Sequence, residues 1–179
     1  MELRGKKINF LDDSITEGVG TSSPEHIYLN VLAKNAGLSE ARNYGIGGTR
    51  FARQITPSGS PVFDRDFCMR ADEMDPDADV VVVFGGTNDF GHGDAPFGSP
   101  EDTTPATFCG ACDYLFRRLI GRYPEAQIVV MTPLHRLFEE RTNGDACQKA
   151  HHTGNLKRYV DAIKAAAEKY SLPVLDLYG

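Results

Sequence analysis

Apolar runs bounded by turn residues recur along the chain and mark five candidate strands, at residues 7–11, 41–44, 79–84, 127–132 and 173–177. The third contains Val80-Val81-Val82-Val83-Phe84, an unbroken and largely β-branched run. That is the pattern of a strand covered on both faces, which places it near the centre of a sheet. Between the strands lie segments with helical spacing. Residues 24–36 align Ile27, Val31 and Leu32, residues 104–122 align Phe108, Leu115, Phe116 and Leu119, and residues 155–170 align Leu156, Tyr159, Val160, Ile163 and Ala167. Alternating strands and helices with right-handed crossovers predict an α/β fold, a three-layer α/β/α domain of flavodoxin-like type with a five-stranded parallel sheet and helices on both faces. No internal repeat or linker interrupts the pattern, so residues 1–179 are expected to form one domain.

In sheets of this kind ligands gather beyond the carboxyl ends of the strands. Those ends read Asp12-Asp13-Ser14, Gly45-Ile46-Gly47-Gly48-Thr49, Gly85-Gly86-Thr87-Asn88-Asp89 and Pro133-Leu134-His135-Arg136. The loops at 49–61 and 90–105, rich in Gly, Pro and Ser, are expected to cover the same rim. Taken singly, each segment has an ordinary explanation. Asp-Ser after a strand caps helices, glycine clusters make turns, and Asn-Asp is common loop chemistry. Together they supply two of the three requirements of acyl transfer to a serine: a hydroxyl at a strand-to-helix turn, and donors aimed where charge develops on a carbonyl oxygen. Ser14 offers the hydroxyl. Gly48 lets the main chain approach a substrate closely, and Asn88 carries an amide that can point an N–H at the same oxygen.

These blocks, in this order, resemble the SGNH hydrolases, also called the GDSL-type lipase/acylhydrolase family. Asp13-Ser14-Ile15-Thr16 is similar to the family's first block, which implies Ser14 as nucleophile. Asn43-Tyr44-Gly45-Ile46-Gly47-Gly48 is similar to the second and implies the Gly48 N–H in the oxyanion hole. Gly86-Thr87-Asn88-Asp89 is similar to the third and implies Asn88 as the other oxyanion donor. Segments 131–136 and 174–178 also resemble stretches near the fourth and fifth strands of bacterial members. Asp13, Asp89 and His135 are accessory candidates.

Two departures stand out. The family usually has glycine before the Asp-Ser pair, where this chain has Asp12, so a strained turn and a negative charge beside the nucleophile are expected. The family's base and its orienting partner form an Asp-x-x-His block after the fifth strand, whereas Asp176-Leu177-Tyr178-Gly179 has glycine at the histidine position. The expectation is a domain lacking that block and the terminal helix, or a chain that continues past Gly179. An apolar face would then be left open, through which a homo-oligomer could form. Among the other histidines, His135 is placed to contact substrate or pack under a loop. His151 and His152 precede the last helix, His92 follows Asn88, and His26 lies on the first helix. None shows a carboxylate partner in the sequence.

Composition narrows the field further. A net charge of −6, from 25 acidic and 19 basic residues, offers no basic field for nucleic acid or anionic lipid. No apolar run is long enough to span a bilayer and the amino terminus lacks a signal-peptide pattern, so a soluble cytoplasmic protein is expected. Cys68, Cys109, Cys112 and Cys147 are expected to be reduced thiols, with the Cys109/Cys112 pair on a buried helix face rather than at a metal or redox site. Without G-x-x-x-x-G-K-[ST] or G-x-G-x-x-G, a nucleotide or flavin binder is disfavoured, and no cofactor or metal is expected. The leading expectation is an esterase acting on a small acyl or acetyl ester, such as one on a carbohydrate, with impaired turnover. The alternative is a non-catalytic binding protein with the same pocket.

Overall fold

A computed structural model describes residues 2–145, 149 and 153–179. Five strands, β1 (Lys7–Asp12), β2 (Glu40–Gly45), β3 (Val80–Phe84), β4 (Gln127–Met131) and β5 (Val174–Leu175), form one sheet. All neighbours are parallel, in the order β2-β1-β3-β4-β5, the arrangement of flavodoxin-like folds. β3 is central and every residue in it is buried, as its apolar run requires.

The period-two alternation of the strands divides the core. Leu11, Val81, Val83, Ile128 and Val130 face a large cluster with Phe67, Phe108, Phe116 and Ile163, supplied by α3 (Phe67–Arg70), α5 (Phe108–Arg122) and α6 (Leu156–Lys169). Ile8, Phe10, Val80 and Val82 face a smaller cluster built on Leu29 of α2 (Tyr28–Ala36). On that side Val129 and Met131 of β4 are only partly buried, and Leu175 of β5 is 51% exposed. The sheet's β4–β5 margin is therefore thinly covered on the α2 face.

The helical pattern over 24–36 divides into a 3₁₀ turn, Pro24–His26, and α2, because Ile27 adopts an extended ψ of 130°. Its side chain turns onto Gly18, where an added Cβ would lie only 2.5 Å from Ile27 Cδ1. The last strand is shorter than expected because Asp176 makes a turn, with its Oδ1 accepting from the Tyr178 and Gly179 N–H groups at 3.2 and 3.1 Å. Helices α1 (Ser14–Glu17), α3 and α4 (Thr87–Gly91) are one turn each, too short to register as periodicity. Thr107 and Asn155 cap α5 and α6 by accepting the Gly110 and Arg158 N–H groups, which places both helix starts slightly inside the expected ranges. Cys109 and Cys112 lie buried on α5, while Cys147, His151 and His152 fall outside the described residues.

Gly45 joins this frame to the functional rim. A Cβ there would collide with the Glu17 N and approach the Asp13 carbonyl to 2.8 Å, both main-chain atoms that cannot swing aside. Gly45→Ala should lower unfolding free energy by at least ~2 kcal/mol in urea titration, and an unchanged midpoint would contradict this packing.

Candidate active site

Ser14 opens α1 directly beyond the carboxyl end of β1. Asp13 caps the turn, its Oδ1 accepting the Ile15 N–H at 3.0 Å. The loop after β2 is stitched to this turn from both sides. Asn43 Nδ2 donates to the Thr16 carbonyl at 2.7 Å while its Oδ1 accepts the Gly45 N–H, and Glu17 accepts the Gly47 N–H at 2.7 Å. Gly47 consequently lies beside the nucleophile candidate, with a hypothetical Cβ 3.6 Å from Ser14 Cβ. Gly48 follows at φ +74°, a conformation glycine adopts without strain, and the ring of Phe63 faces it at 3.5 Å from the same hypothetical position.

Asn88 closes the third side. It lies on α4 beyond β3, and its Nδ2 donates to the Thr49 carbonyl at 3.0 Å, bringing the loop after β2 and the turn after β3 together. Within this arrangement, the N–H groups of Ser14 and Gly48 have no protein acceptor among the described residues. Two unengaged main-chain donors beside a serine and a carboxamide are the parts from which an oxyanion hole is built.

Three buried carboxyls lie underneath. Asp89 accepts the Phe51 and Ala52 N–H groups, each at 3.0 Å, and so braces the loop that follows Thr49. Burial raises its pKa against those N–H groups and the nearby Lys149 and Arg50 charges. Burial also lifts Asp13 to about 6, with Asp89 adding to the shift and the Ile15 N–H and Arg70 opposing it. Asp12 is fully buried and turned beneath α1, where one oxygen accepts from the Thr16 N–H at 3.1 Å and from the Thr16 hydroxyl, which also meets Tyr28 Oη at 2.8 Å. Burial first, and then the neighbouring Asp13 charge, push the Asp12 pKa well up.

Two expectations about Asp12 are therefore corrected. Its backbone is not in the left-handed region, so the position requires no glycine conformation. Its carboxyl is bonded to the Thr16 N–H and hydroxyl beneath α1, and burial raises its pKa, which disfavours the anion expected beside Ser14. Arg70 is the counterweight. Buried at 3% exposure, it donates to the main-chain oxygens of Asp12 at 3.0 Å, Arg65 at 3.0 Å and Tyr44, and to Thr49 Oγ1 at 2.8 Å. Burial lowers its pKa to about 10, with Arg65 acting in the same direction and Asp12 among the charges opposing the fall.

His135 is placed apart from this group. It is exposed, its ring stacks on Tyr178 with centroids 4.1 Å apart, and its Nδ1 meets Glu139 at 2.8 Å, which raises its pKa. The segment is not helical, so the i,i+4 spacing of the pair carried no signal in the sequence. Asp176 belongs to its turn, bonded also to Thr132 and Lys164 and held down to about 2, chiefly by Lys164. Sequence reasoning also missed Glu17, Asn43, Arg50 and Arg70. Asn43 and Glu17 fall inside or beside the recognised blocks, whereas nothing in the pattern distinguishes Arg50 or Arg70 from surface arginines.

The model of the GDSL-like lipase/acylhydrolase family matches residues 11–179. The chain belongs to that family. One solved structure is 31% identical over 99% of this chain and 80% of its own, with a TM-score of 0.81. A protein from Lactobacillus plantarum is 25% identical over 98% of this chain and 78% of its own, with a TM-score of 0.79. A carbohydrate acetylesterase family member from Sinorhizobium meliloti shares the fold at 18% identity, over 96% of this chain and 82% of its own, with a TM-score of 0.63. No curated protein matches the chain significantly. Among the described residues, no helix is long and apolar enough to cross a membrane.

The raised carboxyl pKa values predict a specific pH dependence. An unfolded aspartate ionises near ~3.9, whereas folded Asp12 and Asp13 hold their protons to higher pH, so their contribution to stability is greatest below that value and declines as pH rises. Asp12→Asn, neutral at every pH, should melt at an increasingly higher temperature than the parent between pH 4 and 7, and a pH-independent difference would contradict the assignment. Asp12→Gly, which loses the Thr16 bonds and leaves a void beneath α1, should cost roughly 1–3 kcal/mol at pH 5 by chemical denaturation.

Proposed function

We propose that this member of the GDSL-like lipase/acylhydrolase family is a serine ester hydrolase. Ser14 is the nucleophile, and the N–H groups of Gly48 and Ser14 with the Asn88 carboxamide bind the oxyanion. The observation that carries this reading is the convergence of an N-terminal helical serine, two unengaged N–H groups and a braced carboxamide at three adjacent strand ends. Ser14 attacks the ester carbonyl and its proton passes to a base. The tetrahedral oxyanion forms between the donors, and collapse expels the alcohol to leave an acyl-Ser14 that water hydrolyses.

A small acyl group is compatible with the Phe63 ring that neighbours Gly48. The likeness to the Sinorhizobium meliloti protein supports an acetyl ester on a carbohydrate. His135, oriented by Glu139 and stacked on Tyr178 at the rim, is assigned to substrate contact. A second reading, a binding protein that keeps the pocket without turnover, is favoured by one observation: no histidine among the described residues hydrogen-bonds Ser14.

The full-length protein should hydrolyse p-nitrophenyl acetate and be labelled by a fluorophosphonate. Both activities should be lost in Ser14→Ala, and kcat should fall by about 10²–10³ in Asn88→Ala. Saturable binding of an acetylated sugar with neither labelling nor turnover would instead establish the second reading.

A further inference from the structure

The polar chain behind Asn88 is not accounted for by the roles above. Arg50 is 5% exposed and fixed at both ends of its guanidinium. Its Nη2 donates to the Phe63 carbonyl at 2.8 Å and lies 3.6 Å from Asp64 Oδ1, while its Nη1 lies 3.1 Å from His92 Nδ1. The other ring nitrogen, His92 Nε2, lies 3.2 Å from Asn88 Oδ1. A guanidinium has donors and no acceptors. Nδ1 must therefore accept, the ring proton must reside on Nε2, and that proton is donated to Asn88 Oδ1. The Asn88 orientation is fixed independently at its other end, where the NH2 group donates to the Thr49 carbonyl. The two constraints agree on which end of the amide is which, leaving one N–H of the NH2 group for a ligand.

We propose that His92 is a positioning residue for the oxyanion-binding carboxamide: Arg50 fixes its tautomer, and its Nε2–H holds Asn88 Oδ1 so that the Asn88 NH2 faces the pocket. This rests on the reading of Asn88 as an oxyanion donor. Held by the Thr49 bond alone, the carboxamide could pivot about that bond and turn its remaining N–H away from the developing anion, so the relay acts on the transition state more than on substrate binding. The charged surroundings favour the same state. Arg50 from the loop after β2, with Arg136 and Lys149 from the segment after β4, disfavour a second ring proton, and Asp145 opposes them. Although His92 is exposed at the surface, partial desolvation by its neighbours, and then Arg50, hold its pKa below the usual imidazole value.

A double-mutant cycle on the full-length protein tests the proposal. His92→Ala should lower kcat about tenfold with KM little changed, a smaller effect than removing the donor itself. H92Q, whose amide can still donate to Asn88, should recover most of the loss. In an Asn88→Ala background, His92→Ala should cause no further loss, because the group it positions is absent. Equal losses in both backgrounds, or an unchanged kcat in H92A, would overturn the relay while leaving Asn88's role intact. An unchanged kcat in Asn88→Ala would overturn both. Should H92A fail to fold, ring ¹⁵N spectra of the parent protein at pH 7 decide. The Nε2–H tautomer is the expected result, and an Nδ1–H or doubly protonated ring overturns the proposal.

Discussion

The rim of this domain depends on one buried cation. Arg70 comes from a single turn of helix, yet its guanidinium spans the ends of β1 and β2 and the loop beyond them through the main-chain oxygens of Asp12 and Tyr44 and the Thr49 hydroxyl. Without it, three chain segments that meet beneath Ser14 would have polar atoms facing one another and no donor between them. Their carbonyls need hydrogen bonds in a region that water does not reach, and one planar group with five N–H donors satisfies several at once. Leaving a buried acceptor without its donor typically costs about 1–3 kcal/mol. The loss here would fall on the part of the fold that carries the chemistry.

Three aspartates lie under the proposed oxyanion site, and each is held by other groups. Asp12, Asp13 and Asp89 would repel a developing negative charge if all were ionised and turned upward. Instead Asp89 is consumed by two backbone N–H groups, Asp13 caps α1, and Asp12 is driven towards its neutral form and turned to Thr16. Replacement of the family's glycine by Asp12 thus becomes a change in the packing under α1. Burial there disfavours the charged form of the new carboxyl.

The sheet was readable because its signal is dense. Val80 to Phe84 is a short, β-branched run bounded by turn residues, and the structure places it as the fully buried central strand. The candidate site blocks were readable because Ser, Gly and Asn at successive strand ends are the residue types that acyl transfer would use. What escaped the sequence was the support beneath them. Arg70, Arg50 and Glu17 acquire meaning only from which carbonyl or N–H they meet across tens of residues, and no local pattern encodes those meetings. The break at Ile27 was hidden for the same reason, since its side chain packs on the bare surface of Gly18, nine residues earlier in the chain.

The central claim is that Ser14, Gly48 and Asn88 form one acyl-transfer site, and a crystal structure of the full-length protein after reaction with a small alkyl phosphonate addresses it most directly. The account predicts phosphorus bonded to Ser14 Oγ, with the phosphonyl oxygen within hydrogen-bonding distance of the Gly48 N–H and the Asn88 NH2. An adduct on another side chain, or a phosphonyl oxygen turned away from both donors into solvent, would contradict it.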